Sequence, residues 1–123
     1  MMMIIRSKIK GIQIVMGIFL LIIVIFGVKY KYEHTFSTDR WIKYPRERVK
    51  MVDDMLRKYK LVGQTKEAIV ELLGRETDSG YFKEVNNSVY YLGDERGFIS
   101  IDSEWLVITF DNDLAVEVII KRD

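Results

Sequence analysis

The chain has 123 residues, a net charge of +1, one histidine and no cysteine. This length accommodates one domain and a small additional segment, and the composition excludes a disulfide framework, a thiolate metal site and a cysteine nucleophile. Residues 1–43 carry seven basic and two acidic side chains (+5), whereas residues 44–123 carry twelve basic and sixteen acidic ones (−4). The acidic body argues against nucleic-acid binding and suits a soluble domain that follows a membrane-proximal segment.

Residues 11–28, GIQIVMGIFLLIIVIFGV, contain no charged side chain. As a helix this segment would span about 27 Å, close to the thickness of the hydrocarbon core of a bilayer. We predict a transmembrane signal anchor that contacts membrane lipid, with residues 1–10 as a cytoplasmic tail. A cleaved signal peptide is the alternative, but the apolar run is long and the bulky sequence GVKYKYEH follows it where small residues would mark a cleavage site.

The basic residues around this segment predict its orientation. Three precede it, namely Arg6, Lys8 and Lys10, and Lys29, Lys31, Arg40 and Lys43 follow it. A short basic N-terminal tail usually stays in the cytoplasm. We therefore expect a single-pass protein of the cell membrane whose C-terminal domain is extracytoplasmic.

Residues 29–44 are predicted to form a juxtamembrane linker in which aromatic and basic side chains alternate. The aromatic residues are Tyr30, Tyr32, Phe36, Trp41 and Tyr44. Such rings commonly lie among lipid headgroups as an interfacial belt, and a specific lipid or partner site is the alternative. His34 is expected to be a solvated linker residue.

Residues 45–123 are predicted to form one α+β domain that begins with two helices. Pro45 suits the first turn of a helix, and residues 46–60 place an apolar stripe on one face: Val49, Val52, Met55, Leu56 and Tyr59. On the other face, Asp53 and Arg57, and Asp54 and Lys58, are spaced to form ion pairs in solvent.

The second helix is short and has clear end signals. Thr65 is a candidate N-cap, Gly74 can supply the left-handed residue that ends the helix, and the predicted buried stripe comprises Ile69, Leu72 and Leu73. The brief break around Gly63 predicts an αα-hairpin.

Three strands are predicted after the helices, at residues 88–93, 104–110 and 114–121, and residues 81–85 form either a fourth strand or a loop. Helices followed by strands indicate an antiparallel sheet covered on one face by the helices. The expected sheet contribution to the core is Tyr91, Leu106, Ile108, Phe110, Val116 and Val118.

Residues 48–74, RVKMVDDMLRKYKLVGQTKEAIVELLG, resemble the start of the small-protein-A / BamE family of outer-membrane assembly lipoproteins. The matching features are the Leu-x-Gly-x-Thr break at Leu61, Gly63 and Thr65, and the ending Leu72-Leu73-Gly74. The resemblance covers about residues 45–121 and implies a two-helix hairpin on an antiparallel sheet, an arrangement shared with the β-lactamase-inhibitor-like fold. The lipidated cysteine of the family is replaced here by the apolar segment, and Glu76 stands where proline is usual.

The sequence predicts no catalytic, cofactor-binding or metal-binding residue, and hence no cofactor. Residues 111–113, Asp-Asn-Asp, lack the later ligands of a calcium loop and are predicted to form a turn. The expected function is a non-catalytic, membrane-anchored, extracytoplasmic module of the bacterial cell envelope that binds another envelope protein. The alternatives are a small inhibitor or regulator of an envelope enzyme and, less in keeping with the residues, an enzyme.

Overall fold

The computed structural model describes residues 1–78 and 80–123 and divides into two compact units, residues 1–32 and 33–123. Helix α1, Met2–Glu33, accounts for nearly all of the first unit and buries none of its side chains. Within the described residues it is the one helix that is long and apolar enough to cross a membrane. It extends past the predicted segment 11–28 at both ends, because the flanking residues include good helix formers and no proline.

The second unit begins with a helix that was not predicted. Helix α2, Thr38–Lys43, is preceded by Ser37, whose side chain accepts a hydrogen bond from the Arg40 backbone N–H at 3.5 Å. Trp41 on this helix is fully buried and Phe36 just before it is nearly so. The structure thus differs from the expected aromatic belt, because these two rings belong to the core of the second unit.

Two further helices match the predicted pair in order but not in every detail. A 3-10 turn, Pro45–Glu47, leads into α3, Arg48–Lys58, and α4 is Lys66–Leu73. The buried residues of α3 are Arg48, Met51, Val52 and Met55. The predicted helix over residues 46–60 included Tyr59 in its apolar stripe, but α3 ends before Tyr59, which is exposed.

The ends of α4 confirm both predicted capping residues. The Thr65 hydroxyl accepts a hydrogen bond from the Ala68 N–H at 3.1 Å, and Gly74 ends the helix at φ 75°. Ile69 and Leu73 are fully buried. The helix contacts α2, so part of its packing depends on a helix that the sequence did not predict.

The sheet consists of β1, Asn87–Asp94, β2, Ser103–Asp111, and β3, Leu114–Arg122, antiparallel in the order β1–β2–β3. The three predicted strands are confirmed, and residues 81–85 form turns rather than a fourth strand. Asn112 and Asp113 have positive φ angles of 51° and 66°, as a two-residue hairpin turn requires, so the predicted turn is also confirmed. The fold is therefore α+β.

Two predicted core positions on the sheet are wrong. The register between β2 and β3 shifts at Thr109/Phe110, so that Ala115 opposes Phe110 while Glu117 opposes Thr109. Val116 is the extra residue of this bulge, and 52% of it is exposed. Tyr91 also lies on the opposite face from the one predicted, since Tyr90 takes the buried position under the helices.

Each face of the sheet carries an apolar cluster. The helix-covered face includes the main core, to which the sheet contributes Tyr90, Leu92, Leu106, Ile108 and Ala115. The opposite face carries a smaller aromatic cluster of Val89, Trp105 and Val107, with Phe82 and Tyr91 packed against it. Tyr81 is tilted against Trp105 with 5.9 Å between the ring centroids, so the turns before β1 partly cover this second face.

Candidate interaction surface

The loop between β1 and β2 exposes an apolar tip. Residues 95–102, ERGFISID, connect the two strands, and three large apolar side chains in this loop are largely exposed: Phe98, Ile99 and Ile101. Single exposed apolar side chains are common on protein surfaces, whereas a concentration of them indicates a contact surface. We call residues 95–102 the apolar loop.

A buried carboxylate anchors the base of the apolar loop. Glu104 is 2% exposed and accepts hydrogen bonds from the Arg96 backbone N–H at 2.7 Å and from the Arg96 guanidinium at 2.9 to 3.2 Å. Burial by itself raises the pKa of Glu104, but the hydrogen bonds and charge of Arg96 outweigh it, so that the pKa is lowered. The pair fixes the start of the loop to the first residues of β2.

The same arginine links the loop to α3. The Arg96 guanidinium donates a hydrogen bond to the Asp53 carboxylate at 2.7 Å. The predicted pairing of Asp53 with Arg57 is therefore wrong. Within the helix, the structure shows Arg57 paired with Asp54 instead. The apolar loop is thus held at its base by two carboxylates from different elements, while its tip extends into solvent.

Asp54 lies at a junction rather than on the solvated face that the sequence predicted. Its side chain is 8% exposed and accepts hydrogen bonds from Lys58 at 2.9 Å and from the Phe36 backbone N–H at 2.7 Å. Lys58 first, and then the Phe36 amide, lower the pKa of Asp54 to about 2. The predicted ion pair with Lys58 is confirmed, and the carboxylate also ties the segment before α2 to α3.

A buried arginine joins α2, α3 and β1. Arg48 donates to the Trp41 carbonyl at 2.7 Å and to the Tyr91 carbonyl at 3.2 Å, and its guanidinium lies 5.2 Å from the Trp41 ring centroid. Burial lowers the pKa of Arg48 to about 10. Tyr90 donates to the Gly74 carbonyl at 2.9 Å, and burial raises its pKa to about 12. Both polar groups bind backbone carbonyls and so connect these elements to one another.

One surface pocket of about 440 Å³ lies beside the end of α3 and along α4. Leu61, Ile69 and Leu72 contribute apolar atoms to it, and Lys58 and Lys60 are among its polar lining residues. The lining contains hydroxyl, ammonium and carboxylate groups but no histidine, serine or cysteine. We assign no reaction to this pocket.

Metal chemistry finds no support in the described part of the chain. Within residues 1–78 and 80–123, no group of three or more histidine, cysteine or acidic side chains could hold an ion. His34 is partly buried at the start of the second unit, which corrects the expectation of a solvated linker residue.

The sequence predicted neither an element nor a site in the apolar loop. The available signal was Phe98-Ile99-Ser100-Ile101, in which three of four residues are large and apolar although a connection between strands does not need them. Comparison with known proteins finds no matching family model, no curated relative and no matching solved structure. The functional argument therefore rests on the residues and contacts of this chain.

Proposed function

We propose that this protein is a non-catalytic, membrane-anchored interaction module on the extracytoplasmic side of a bacterial cell membrane, and that it binds another envelope protein. The observation that carries the proposal is the apolar loop, whose base is fixed and whose three large apolar side chains are exposed. Water contact with these side chains is unfavourable, and a partner that covered them would remove it.

Helix α1 supports the membrane part of the proposal. Its side chains are unburied, and the segment 11–28 has the length and composition that a bilayer stabilises. The basic residues Arg6, Lys8 and Lys10 favour a cytoplasmic N-terminus. The second unit then lies on the outer side.

The resemblance to the small-protein-A / BamE family gives the envelope part of the proposal. Three features are compatible with this resemblance, namely the Thr65 cap, the Gly74 end of α4 and the β2–β3 hairpin. These features are structural, so they carry no partner residue with them, and fold alone is a weak guide to function.

An inhibitor or regulator of an envelope enzyme is the second candidate. A loop with a fixed base and an exposed aromatic ring at Phe98 suits insertion into an enzyme cleft, because aromatic anchors are typical of buried interface centres. The identity of the bound protein distinguishes the two candidates.

The test is site-specific photo-crosslinking in intact cells. A photoreactive amino acid replaces Phe98 in the full chain, and a control variant carries it at Glu67, an exposed residue in the first turn of α4. We expect a discrete crosslinked protein from position 98 and none from position 67, and we expect Phe98→Asp to reduce recovery of that protein. A hydrolase whose activity the chain lowers would favour the inhibitor, and identical products from both positions would contradict the proposal.

A further inference from the structure

The two edges of the sheet differ in how they are covered. At the β1 edge, Thr77 donates its backbone N–H to the Val89 carbonyl at 2.8 Å, and its hydroxyl accepts from the Tyr91 N–H at 2.8 Å. At the β3 edge, the start of the strand is covered, because the Gly63 N–H donates to the Ala115 carbonyl at 2.7 Å and Ala115 donates to Gln64 at 2.9 Å. In the described chain, no strand lies beyond β3.

The register of β3 determines which backbone N–H and C=O groups of residues 117–122 face away from β2. The Asp123 N–H donates to the Ser103 carbonyl at 3.2 Å, so the backbone of residue 123 faces β2. Because hydrogen-bonding directions alternate along an antiparallel strand, the groups of Glu117, Ile119 and Lys121 also face β2. The backbone groups of Val118, Ile120 and Arg122 therefore face outward, where a further strand would bind them.

We propose that this edge binds the same edge of a second copy of the chain, antiparallel, with Ile119 on the two-fold axis. In this register Val118 of one copy forms a hydrogen-bonded pair with Ile120 of the other. Glu117 of one copy lies opposite Lys121 of the other. Each of these pairs occurs twice, as an isologous interface requires. The inference goes beyond the proposed function, since it concerns a different surface from the apolar loop.

Charge complementarity selects this occupant and this register. Glu117 and Lys121 are four residues apart and point to the same face, so antiparallel pairing about Ile119 places a carboxylate opposite an ammonium on both sides of the axis. These pairs are the non-hydrogen-bonded ones, in which side chains lie closest. If Val118 or Ile120 lay on the axis instead of Ile119, Glu117 would no longer face Lys121 of the second copy, and both ion pairs would be lost. Lys121 also lies 5.2 Å from the Phe82 ring centroid, which keeps its ammonium on this face.

Apolar residues are continuous across the same axis. Val89 is in register with Val107, and Val107 with Ile119, while Ile119 remains 40% exposed. Pairing of Ile119 with its counterpart would extend this row into the second copy. On the helix-covered face, the partly buried Val118 and Ile120 would meet in the same way.

Edge strands often carry bulges and lysines that prevent pairing, and β3 has both. The bulge at Val116, however, lies before residues 117–122, which pair with β2 in regular register. A lysine alone would repel a second copy, whereas a lysine paired in register with a glutamate attracts it. The edge therefore favours pairing with a second copy of β3 over pairing with other strands.

The test uses cysteine crosslinking of the full chain in isolated membranes. The chain has no cysteine, so each variant carries a single thiol. In a non-hydrogen-bonded pair the Cα atoms are about 4.5 Å apart, within the range that a disulfide spans. Upon oxidation, Ile119→Cys should form a covalent dimer in more than about ten times the yield of Phe98→Cys, an exposed control in the apolar loop.

Charge reversal then tests the register in the Ile119→Cys background. Glu117→Lys and Lys121→Glu should each lower the dimer yield several-fold, because like charges face each other, and the double reversal should restore it. Restoration also shows that the single variants fold. A monomeric Ile119→Cys variant, equal yields at positions 98 and 119, or failure of the double reversal to restore the dimer would overturn the proposal, and a crosslink to a different protein would assign the edge to another occupant.

Discussion

At the scale of single residues, a comparison of Gly93 with Gly97 distinguishes the effect of backbone strain from that of a steric clash. Both have positive φ angles, 129° and 138°. A Cβ on Gly93 would lie 2.3 Å from the Arg46 carbonyl oxygen, whereas a Cβ on Gly97 would meet no atom within 4 Å. The close approach of β1 to the 3-10 turn therefore depends on the absence of a side chain at Gly93 only.

We predict that Gly97→Ala lowers the free energy of unfolding of residues 33–123 by about 1–3 kcal/mol through backbone strain. Gly93→Ala should cost about 1–3 kcal/mol more, because overpacking is added to the strain. Urea unfolding followed by tryptophan fluorescence measures both, since Trp41 and Trp105 lie in this unit. Equal losses for the two variants would show that the approach to Arg46 is not tight.

Glu104 predicts a pH dependence of stability. Its pKa is lowered in the folded chain, so its contribution is fully present above the unfolded value of about 4.3 and is lost as the pH falls through the folded value. Glu104→Gln removes the charged acceptor of Arg96 and should cost about 1–3 kcal/mol at pH 7. The difference between wild type and variant should shrink as the pH falls below about 4.3. A difference that is constant over this range would contradict the assigned ion pair.

At the scale of elements, the features predicted correctly from the sequence are those that depend on neighbouring residues. The Thr65 cap, the Gly74 stop and the turn at Asn112–Asp113 depend on residues that are close in the chain, and all three are confirmed. Helix α2 was missed because it lies in the segment predicted to be a juxtamembrane linker, where Trp41 suits a membrane interface as well as a core. Its burial depends on contacts with distant elements, which no local pattern contains.

The bulge in β3 illustrates the same limit. Strict alternation places Val116 in the core, but one extra residue moves the alternation by one position, so Ala115, Val118 and Ile120 face the helices. The bulge lies beside the connection at Gly63 and Gln64, which binds the backbone of Ala115. The apolar loop, too, required the structure, because exposure of Phe98 is visible only once the core is defined.

Helix α2 should be necessary for folding of the second unit. We predict that a fragment of residues 33–123 unfolds cooperatively, whereas residues 45–123, which begin at Pro45, do not. Loss of the Trp41 side chain alone should lower the free energy of unfolding by about 3–5 kcal/mol. This is a large part of the roughly 5–15 kcal/mol that stabilises a domain. Circular dichroism during thermal unfolding distinguishes the fragments. A cooperative transition for residues 45–123 would show that α2 and the segment before it are dispensable.

At the scale of the whole molecule, the two units present different surfaces to their surroundings. The first is a helix with exposed apolar side chains along its length, and the second has its own core, an anchored apolar loop and an exposed sheet edge. We propose that α1 holds the chain in the bilayer and that the second unit binds proteins outside the cytoplasm.

The most direct measurement of this central claim is the activity of alkaline phosphatase fused after Asp123 in a bacterial host, assayed separately in the membrane and soluble fractions. Because the enzyme is active only outside the cytoplasm, the account predicts high activity that remains with the membranes. A fusion whose Leu21 and Ile22 are replaced by lysines should lose this activity, since two charges at the centre of the span cost about 5–7 kcal/mol on insertion. High activity in the soluble fraction would indicate a cleaved signal peptide, and an inactive fusion would place the second unit in the cytoplasm; either result would contradict the account.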